Sequence, residues 1–201
     1  MSLLLKNKFM KKKTLGIIGL IGAPFLFIDM LVGARFPDFA ESAPWLSGFC
    51  GLLYITGWLA SMENLRQTTE TNKRDFSWYA IRIVMFTLII ADISNIWAIT
   101  TPAKPALYYI LDAGWPVSHL LMLPVAWAVI KGNLLKGYRQ YLPLLMGLWF
   151  PVCMLLGRND FALYFGGIYS TLIWSLFAVA VMRAQSNPII SQYSFNHKHT
   201  F

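Results

Sequence analysis

Six apolar segments, each close to the length of a membrane-spanning helix, constrain this chain more than any other feature. A helix rises about 1.5 Å per residue, so roughly 20 apolar residues are enough to cross the hydrocarbon core of a bilayer. Charged residues make up 13% of the chain, against about 25% in an average soluble domain. These features predict an all-α fold, a polytopic membrane protein built as a six-transmembrane-helix bundle. The predicted spans are 14–34, 44–61, 76–99, 106–130, 141–156 and 161–182.

The distribution of basic residues predicts the orientation of these spans. Cytoplasmic connections of membrane proteins are enriched in Lys and Arg. Of the 17 Lys and Arg residues in the chain, 13 fall in the four segments that would share the N-terminal side: Lys6, Lys8, Lys11, Lys12 and Lys13, then Arg66, Lys73 and Arg74, then Lys131, Lys136 and Arg139, then Arg183 and Lys198. Each opposite connection holds one, namely Arg35, Lys104 and Arg158. We therefore expect both termini in the cytoplasm and a multi-pass location in the cell inner (plasma) membrane.

Both ends of the chain are polar, and the region between them is apolar. This pattern divides the chain into a basic cytoplasmic segment at 1–13, a transmembrane domain at 14–183 and a polar cytoplasmic tail at 184–201. A basic start followed by an apolar run is also typical of a cleaved signal peptide. The first apolar run is longer than the roughly 7–15 residues of a signal core, so we expect a retained helix, with cleavage as the alternative.

The net charge of +8 does not indicate a nucleic-acid partner, because the positive side of a membrane protein accounts for it. The N-terminal lysines are instead expected to meet the lipid bilayer through anionic lipid headgroups. Cys50 and Cys153 lie in apolar segments and form no CxxC motif, so they do not indicate a metal site. The sequence predicts neither a particular cofactor nor an oligomeric state.

Small residues recur at positions that favour close contact between helices. Gly16, Gly19 and Gly22 are spaced by three in the first span, and Gly57 and Ser61 are spaced by four in the second. Two helices can bring their backbones together in a membrane where no large side chain separates them. We therefore expect these residues to pack helices rather than to bind a ligand.

The fourth span, at 106–130, is apolar apart from a few residues that include Asp112 and His119. A helix turns about 100° per residue, so a separation of seven returns both side chains to one face. Trp115 lies on the turns between them, although a belt at the membrane interface is the commoner role for a tryptophan. An Asp in a lipid-spanning helix costs at least roughly 2.5 kcal/mol on insertion scales. Such residues usually face protein or water, which makes this span the first place to expect function.

Two other spans carry an acid at a similar depth. The helical rise places Asp29 and Asp92 about 7 Å outward from the middle of their spans and Asp112 about 9 Å. His119 falls near the midplane, and Asn95 shares a face with Asp92 because the two are three residues apart. We predict one hydrated cavity, open to the outside, around these groups. The predicted ligand- or ion-binding residues are Asp112, His119, Asp92, Asn95, Asp29 and Trp115.

These residues favour a transporter, channel or ligand-binding membrane protein. Its acidic cavity would accept a proton, a cation or a cationic solute. Asp112 and Asp92 would bind or carry charge, and His119 would exchange protons with them, because an unperturbed imidazole titrates near about pH 6.5.

Two alternatives stay open. One is an intramembrane enzyme acting on a lipid, with Asp29, Asp92, Asp112 and His119 as ligands of a divalent metal that activates water. The chain contains no HExxH or GxSxG motif, so a role without catalysis is favoured but not decided. The other is a small accessory or sensory subunit whose polar groups only hold helices together.

Overall fold

The computed structural model describes residues 2–69 and 75–184, with side chains described from Lys11 onward. Within these residues the chain is helical and forms no strand. Six helices are long and apolar enough to cross a membrane, as a multi-pass membrane protein requires: Lys11–Arg35, Trp45–Thr69, Phe76–Thr100, Ala106–Lys131, Gly137–Leu156 and Asp160–Arg183. Lys73, Arg74 and the tail beyond Ala184 lie outside the described residues.

Nine α-helices make up these spans and one of the connections within the described residues. In chain order they are α1 Ser2–Gly22, α2 Phe25–Arg35, α3 Pro37–Ser42, α4 Trp45–Thr69, α5 Phe76–Thr100, α6 Ala106–Asp112, α7 Gly114–Lys131, α8 Leu142–Leu156 and α9 Asp160–Arg183. A 3-10 turn, Gly137–Tyr141, leads into α8. The first and fourth spans are therefore each made of two helices, where the sequence predicted continuous ones.

Proline explains both interruptions. Pro24 lies between α1 and α2, and Pro116 lies in the first turn of α7. A proline nitrogen has no hydrogen to donate, so the carbonyl four residues earlier loses its helical partner. For Pro116 that carbonyl belongs to Asp112, the last residue of α6. Pro124 lies inside α7 without ending it.

The second span continues to Thr69, beyond its predicted end at Ser61, because its last polar side chains find partners on other helices. Asn64 donates from Nδ2 to the carbonyl oxygen of Lys12, 2.9 Å away. The Lys12 ammonium in turn donates to Thr68 Oγ1, at 3.1 Å, and to the carbonyl oxygen of Ala184, at 3.3 Å. A cation at the C-terminal end of a helix such as α9 is stabilising.

The same contacts change the role of one predicted lipid-facing lysine. Lys12 is buried between α1, α4 and α9, whereas Lys11 and Lys13 are exposed. For the exposed Lys11 and Lys13, contact with anionic headgroups stays a prediction. The side chains of Lys6 and Lys8 lie outside the described part of the chain.

The six spans form a closed ring. Contacts run from α1 to α4, then to α5, α7, α8 and α9, and from α9 back to α1, while α4 also packs against α9. Apolar side chains fill the half of the bundle that is predicted to face the cytoplasm. They include Met62, Leu65, Val84, Leu88, Met122, Val125, Val129, Met146, Phe177 and Val181, all of them buried.

The glycines of the first span allow α1 and α4 to approach closely, as predicted. A Cβ atom on Gly22 would lie 2.8 Å from the Cα of Gly57 and 2.5 Å from the carbonyl oxygen of Leu53. Real Cβ atoms essentially never come this close to backbone. The contact lies one helical turn inward of α2, so it fixes the level at which the first span separates from α4.

Replacing Gly22 with alanine should therefore destabilise the bundle. The added methyl group meets backbone that cannot move independently, and overpacking of this kind typically costs about 1–3 kcal/mol. Gly33→Ala is the matched control, because nothing lies within 4 Å of its Cβ position. We expect thermal unfolding of the purified protein in detergent to shift downward for Gly22→Ala only. Equal midpoints for the two variants would contradict the close contact.

Candidate functional site

A cavity of about 570 Å³ lies in the half of the bundle that is predicted to face outward. Its polar lining residues are Asp29, Ser47, Asn95, Tyr108, Asp112 and Arg158, and its aromatic and sulfur-containing ones are Tyr54, Trp115, Trp149, Phe150, Met30, Cys153 and Met154. This volume is within the range of small-molecule sites, about 300–1,000 Å³. The first five spans and the connection before the sixth all contribute to the wall.

Asp29 and Asp112 come from different spans and line the same cavity. Ser94 donates from Oγ to Asp112 Oδ1, 3.4 Å away, and Asp29 interacts with the side chain of Ser47. Neither carboxylate belongs to an ion pair among the described residues. Each therefore has acceptor positions left for water or for a ligand, because a carboxylate can accept about four hydrogen bonds.

Asp92 was predicted in this site, but it does not line the cavity. Its two carboxylate oxygens accept from Thr56 Oγ1, at 3.3 Å, and from Asn95 Nδ2, at 3.4 Å. Thr56 is exposed on the surface of α4, so Asp92 turns toward the outside of the ring. Asn95 does line the cavity. Asp92 thus accepts a hydrogen bond from Asn95 on the side away from the cavity.

His119 lies beneath the cavity rather than in its wall. It is fully buried, and its Nδ1 is 3.1 Å from the carbonyl oxygen of Trp115. A carbonyl only accepts, so Nδ1 carries the proton and donates it. The ring contacts five aromatic side chains, those of Trp58, Trp115, Trp149, Phe150 and Trp174. No hydrogen bond joins His119 to a carboxylate within the described chain, so the predicted proton exchange with Asp112 has no direct contact behind it.

Aromatic rings form the floor of the cavity. Trp115, a predicted site residue, lies in this floor rather than in a belt at the membrane interface. Trp149 is held in place by donating from Nε1 to the carbonyl oxygen of Gly166, 2.7 Å away. Tyr54 and Phe150 complete the floor. Faces of such rings attract organic cations, including quaternary ammonium groups.

Two basic residues lie close to the cavity, and the sequence analysis used them only for topology. Arg158 lines the cavity from the connection between α8 and α9. The Lys104 ammonium is 5.2 Å from the ring centroid of Tyr108 and interacts electrostatically with both Asp29 and Asp112. Lys104 precedes Pro105, and Arg158 follows Gly157. These turn residues, where the chain re-enters the bundle, were the sequence feature that could have placed both basic residues near the cavity.

The ligands of the metal-site alternative are not brought together. In the described ranges, no three His, Cys, Asp or Glu side chains lie close enough to hold a metal ion. Asp29 and Asp112 reach the cavity, whereas Asp92 contacts α4 and His119 is enclosed by aromatic rings. The structure therefore does not support a metal site built from these four residues.

Comparison with known proteins adds no family: no protein-family model, no curated protein and no solved structure matches the chain.

The two cysteines provide a direct test of access to the cavity. Cys153 is half-buried in the cavity wall, whereas Cys50 is 1% exposed and packed in the core. A membrane-impermeant thiol reagent added to intact cells should modify Cys153 in Cys50→Ala and leave Cys50 unmodified in Cys153→Ala. Mass spectrometry reads out both variants. Modification of Cys153 only in inverted vesicles would contradict the predicted orientation, and equal modification of both thiols would contradict the cavity.

Proposed function

We propose that the protein is a membrane transporter or ligand-binding protein that accepts a small organic cation from the outer side of the membrane. The observation that carries this proposal is the position of Asp29 and Asp112, which line one cavity from two spans without an ion-pair partner among the described residues. A cation between the two carboxylates would relieve the electrostatic cost of placing both in an apolar bundle.

The aromatic floor supports an organic cation over a metal ion. Tyr54, Trp115 and Trp149 line the same cavity as the two carboxylates, and the faces of aromatic rings attract ammonium groups by about 0.5–2 kcal/mol. Hard metal ions prefer several oxygen ligands around one point. The polar side chains of this cavity are instead spread over its wall.

The closed inner half supports a binding protein or a carrier over an open channel. Trp58, His119 and Trp174 lie below the cavity, and the buried apolar side chains of α4, α5, α7 and α9 follow. A continuous pore would need a hydrated path through these residues. A solute that enters the cavity can therefore leave toward the cytoplasm only after the helices move.

Removing the charge of Asp112 should weaken binding of a simple organic cation. Choline is a suitable probe, because Trp115 and Trp149 in the floor report its binding by their fluorescence. We expect Asp112→Asn to raise the choline dissociation constant at least about tenfold, because the quaternary ammonium loses a Coulombic partner: two unit charges about 4 Å apart near a protein surface attract by about 4 kcal/mol, and a tenfold change needs about 1.4 kcal/mol.

Asp38→Asn is the matched control, because it makes the same change on exposed α3, outside the cavity. Unchanged choline affinity in Asp112→Asn, or an equal loss in both variants, would contradict the proposed site. Choline uptake into proteoliposomes then separates the two forms of the proposal: flux indicates a transporter, and binding without flux indicates a ligand-binding protein.

A further inference from the structure

The cavity has a cationic mouth above its acidic wall. Arg158 lines it directly, and Lys104 lies beside the lining residue Tyr108. Lys104 interacts electrostatically with both acids of the wall and so offsets part of their charge. A site made only for cations would gain nothing from a guanidinium at its entrance, because like charges repel.

Arg158 has no partner of its own within the described residues. Asp160, the acidic residue closest to Arg158 in the sequence, is paired with Arg35 at 3.0 Å. No ion pair or hydrogen bond of the Arg158 guanidinium is present in the described part of the chain. Arg158 is exposed, so its N–H donors meet water and are available to a ligand; a guanidinium binds phosphate and carboxylate groups through two parallel hydrogen bonds.

The backbone places Arg158 at this position. Gly157 has φ 75° and ψ −160°, a conformation that glycine adopts far more easily than other residues. It ends α8 and turns the chain back toward α9, whose first turn is capped by Asn159 Oδ1 at 2.8 Å from the amide nitrogen of Ala162. The connection is short, and Asn159 also donates from Nδ2 to the carbonyl oxygen of Leu156, 2.9 Å away, so the backbone of Arg158 is held beside the cavity.

We infer that the ligand is a zwitterion whose ammonium group binds at Asp29 and Asp112 and whose phosphate or carboxylate group binds Arg158. This inference rests on the proposed function and adds the second half of the ligand. The same cavity wall also contains Met30, Cys153 and Met154. These apolar surfaces suit the methyl and methylene groups that connect the charges of such a molecule.

Two sources can supply this chemistry, a free solute and a lipid headgroup. Leu155 is 88% exposed and Met154 68% exposed at the end of α8, next to Arg158. Apolar side chains at this end of a membrane span face the outer leaflet in the predicted orientation. A headgroup could therefore reach Arg158 while its acyl chains stay in the bilayer.

Choline and phosphocholine test the inference, because they share the ammonium group and differ in the phosphate. Tryptophan fluorescence of the purified full chain gives the dissociation constant of each. We expect phosphocholine to bind the unmodified protein at least about tenfold more tightly. Arg158→Gln should remove this difference by weakening phosphocholine, whereas choline should bind as tightly as before or more tightly, because a like charge has been removed. Retained choline binding also shows that the variant is folded. Arg139→Gln, on the predicted cytoplasmic connection, is the charge-matched control and should behave like the unmodified protein.

The outcomes separate this inference from the proposed function. If choline binds as tightly as phosphocholine, or Arg158→Gln leaves their ratio unchanged, the zwitterion inference is wrong while the Asp112-dependent cation site stands. If neither affinity depends on Asp112, both proposals are wrong.

Nanodiscs distinguish the two sources. If the soluble probes do not bind but fluorescence responds to phosphatidylcholine and not to phosphatidylglycerol, with loss in Arg158→Gln, the zwitterion is a lipid headgroup. If neither the soluble probes nor phosphatidylcholine give an Arg158-dependent response, the inference is overturned.

Discussion

The half of the bundle that is predicted to face outward has to accommodate two carboxylates among apolar helices. Asp29 and Asp112 each have a hydroxyl neighbour, Ser47 and Ser94, which leaves most of their acceptor capacity unused. Moving an ionised carboxylate into an apolar interior costs several kcal/mol even after relaxation. A water-accessible cavity between the two spans removes that cost. The cavity is therefore a requirement of these two residues in a membrane bundle, before any ligand is considered.

The interruptions of the first and fourth spans create the room for this cavity. Inward of them, Gly22 and Gly57 bring α1 and α4 into backbone contact, and Gly114 brings the start of α7 against the backbone of Thr87 on α5. Outward of them, α2 and α6 contribute Asp29 and Asp112 to the cavity wall. Pro24 and Pro116 release the outer segments from the helical hydrogen bonds of the inner ones. Close packing below and separation above thus arise from two glycine contacts and two prolines.

Local features of the sequence predicted the fold well, and they predicted the site only in part. Length and hydropathy indicate the six spans, and small-residue spacing indicates which residues pack helices closely, because these depend on few neighbours. That the packing pairs α1 with α4 is known only from the structure. The helical rise alone predicted that Asp29 and Asp112 lie at a similar depth. The expected shared face of Asp112 and His119 required an unbroken helix, and the helix is interrupted at Ala113. Packing against α4 decides the direction in which the Asp92 side chain leaves α5. The turn at Gly157 decides the position of Arg158. The helical periodicity of the sequence predicts neither.

The aromatic cluster below the cavity bears on whether a solute could cross. Nε1 of Trp58, Nε1 of Trp174 and Nε2 of His119 are buried without a hydrogen-bond partner among the described residues. Each such group costs about 1–3 kcal/mol, partly offset where an N–H meets a ring face, as the edge-to-face pairs of Trp58 with His119 and Trp174 allow. Water that entered between these rings would hydrogen-bond to the same groups. Separating the rings therefore costs less free energy than separating aliphatic side chains of equal buried area. The cluster therefore closes the bundle with contacts that hydration can replace.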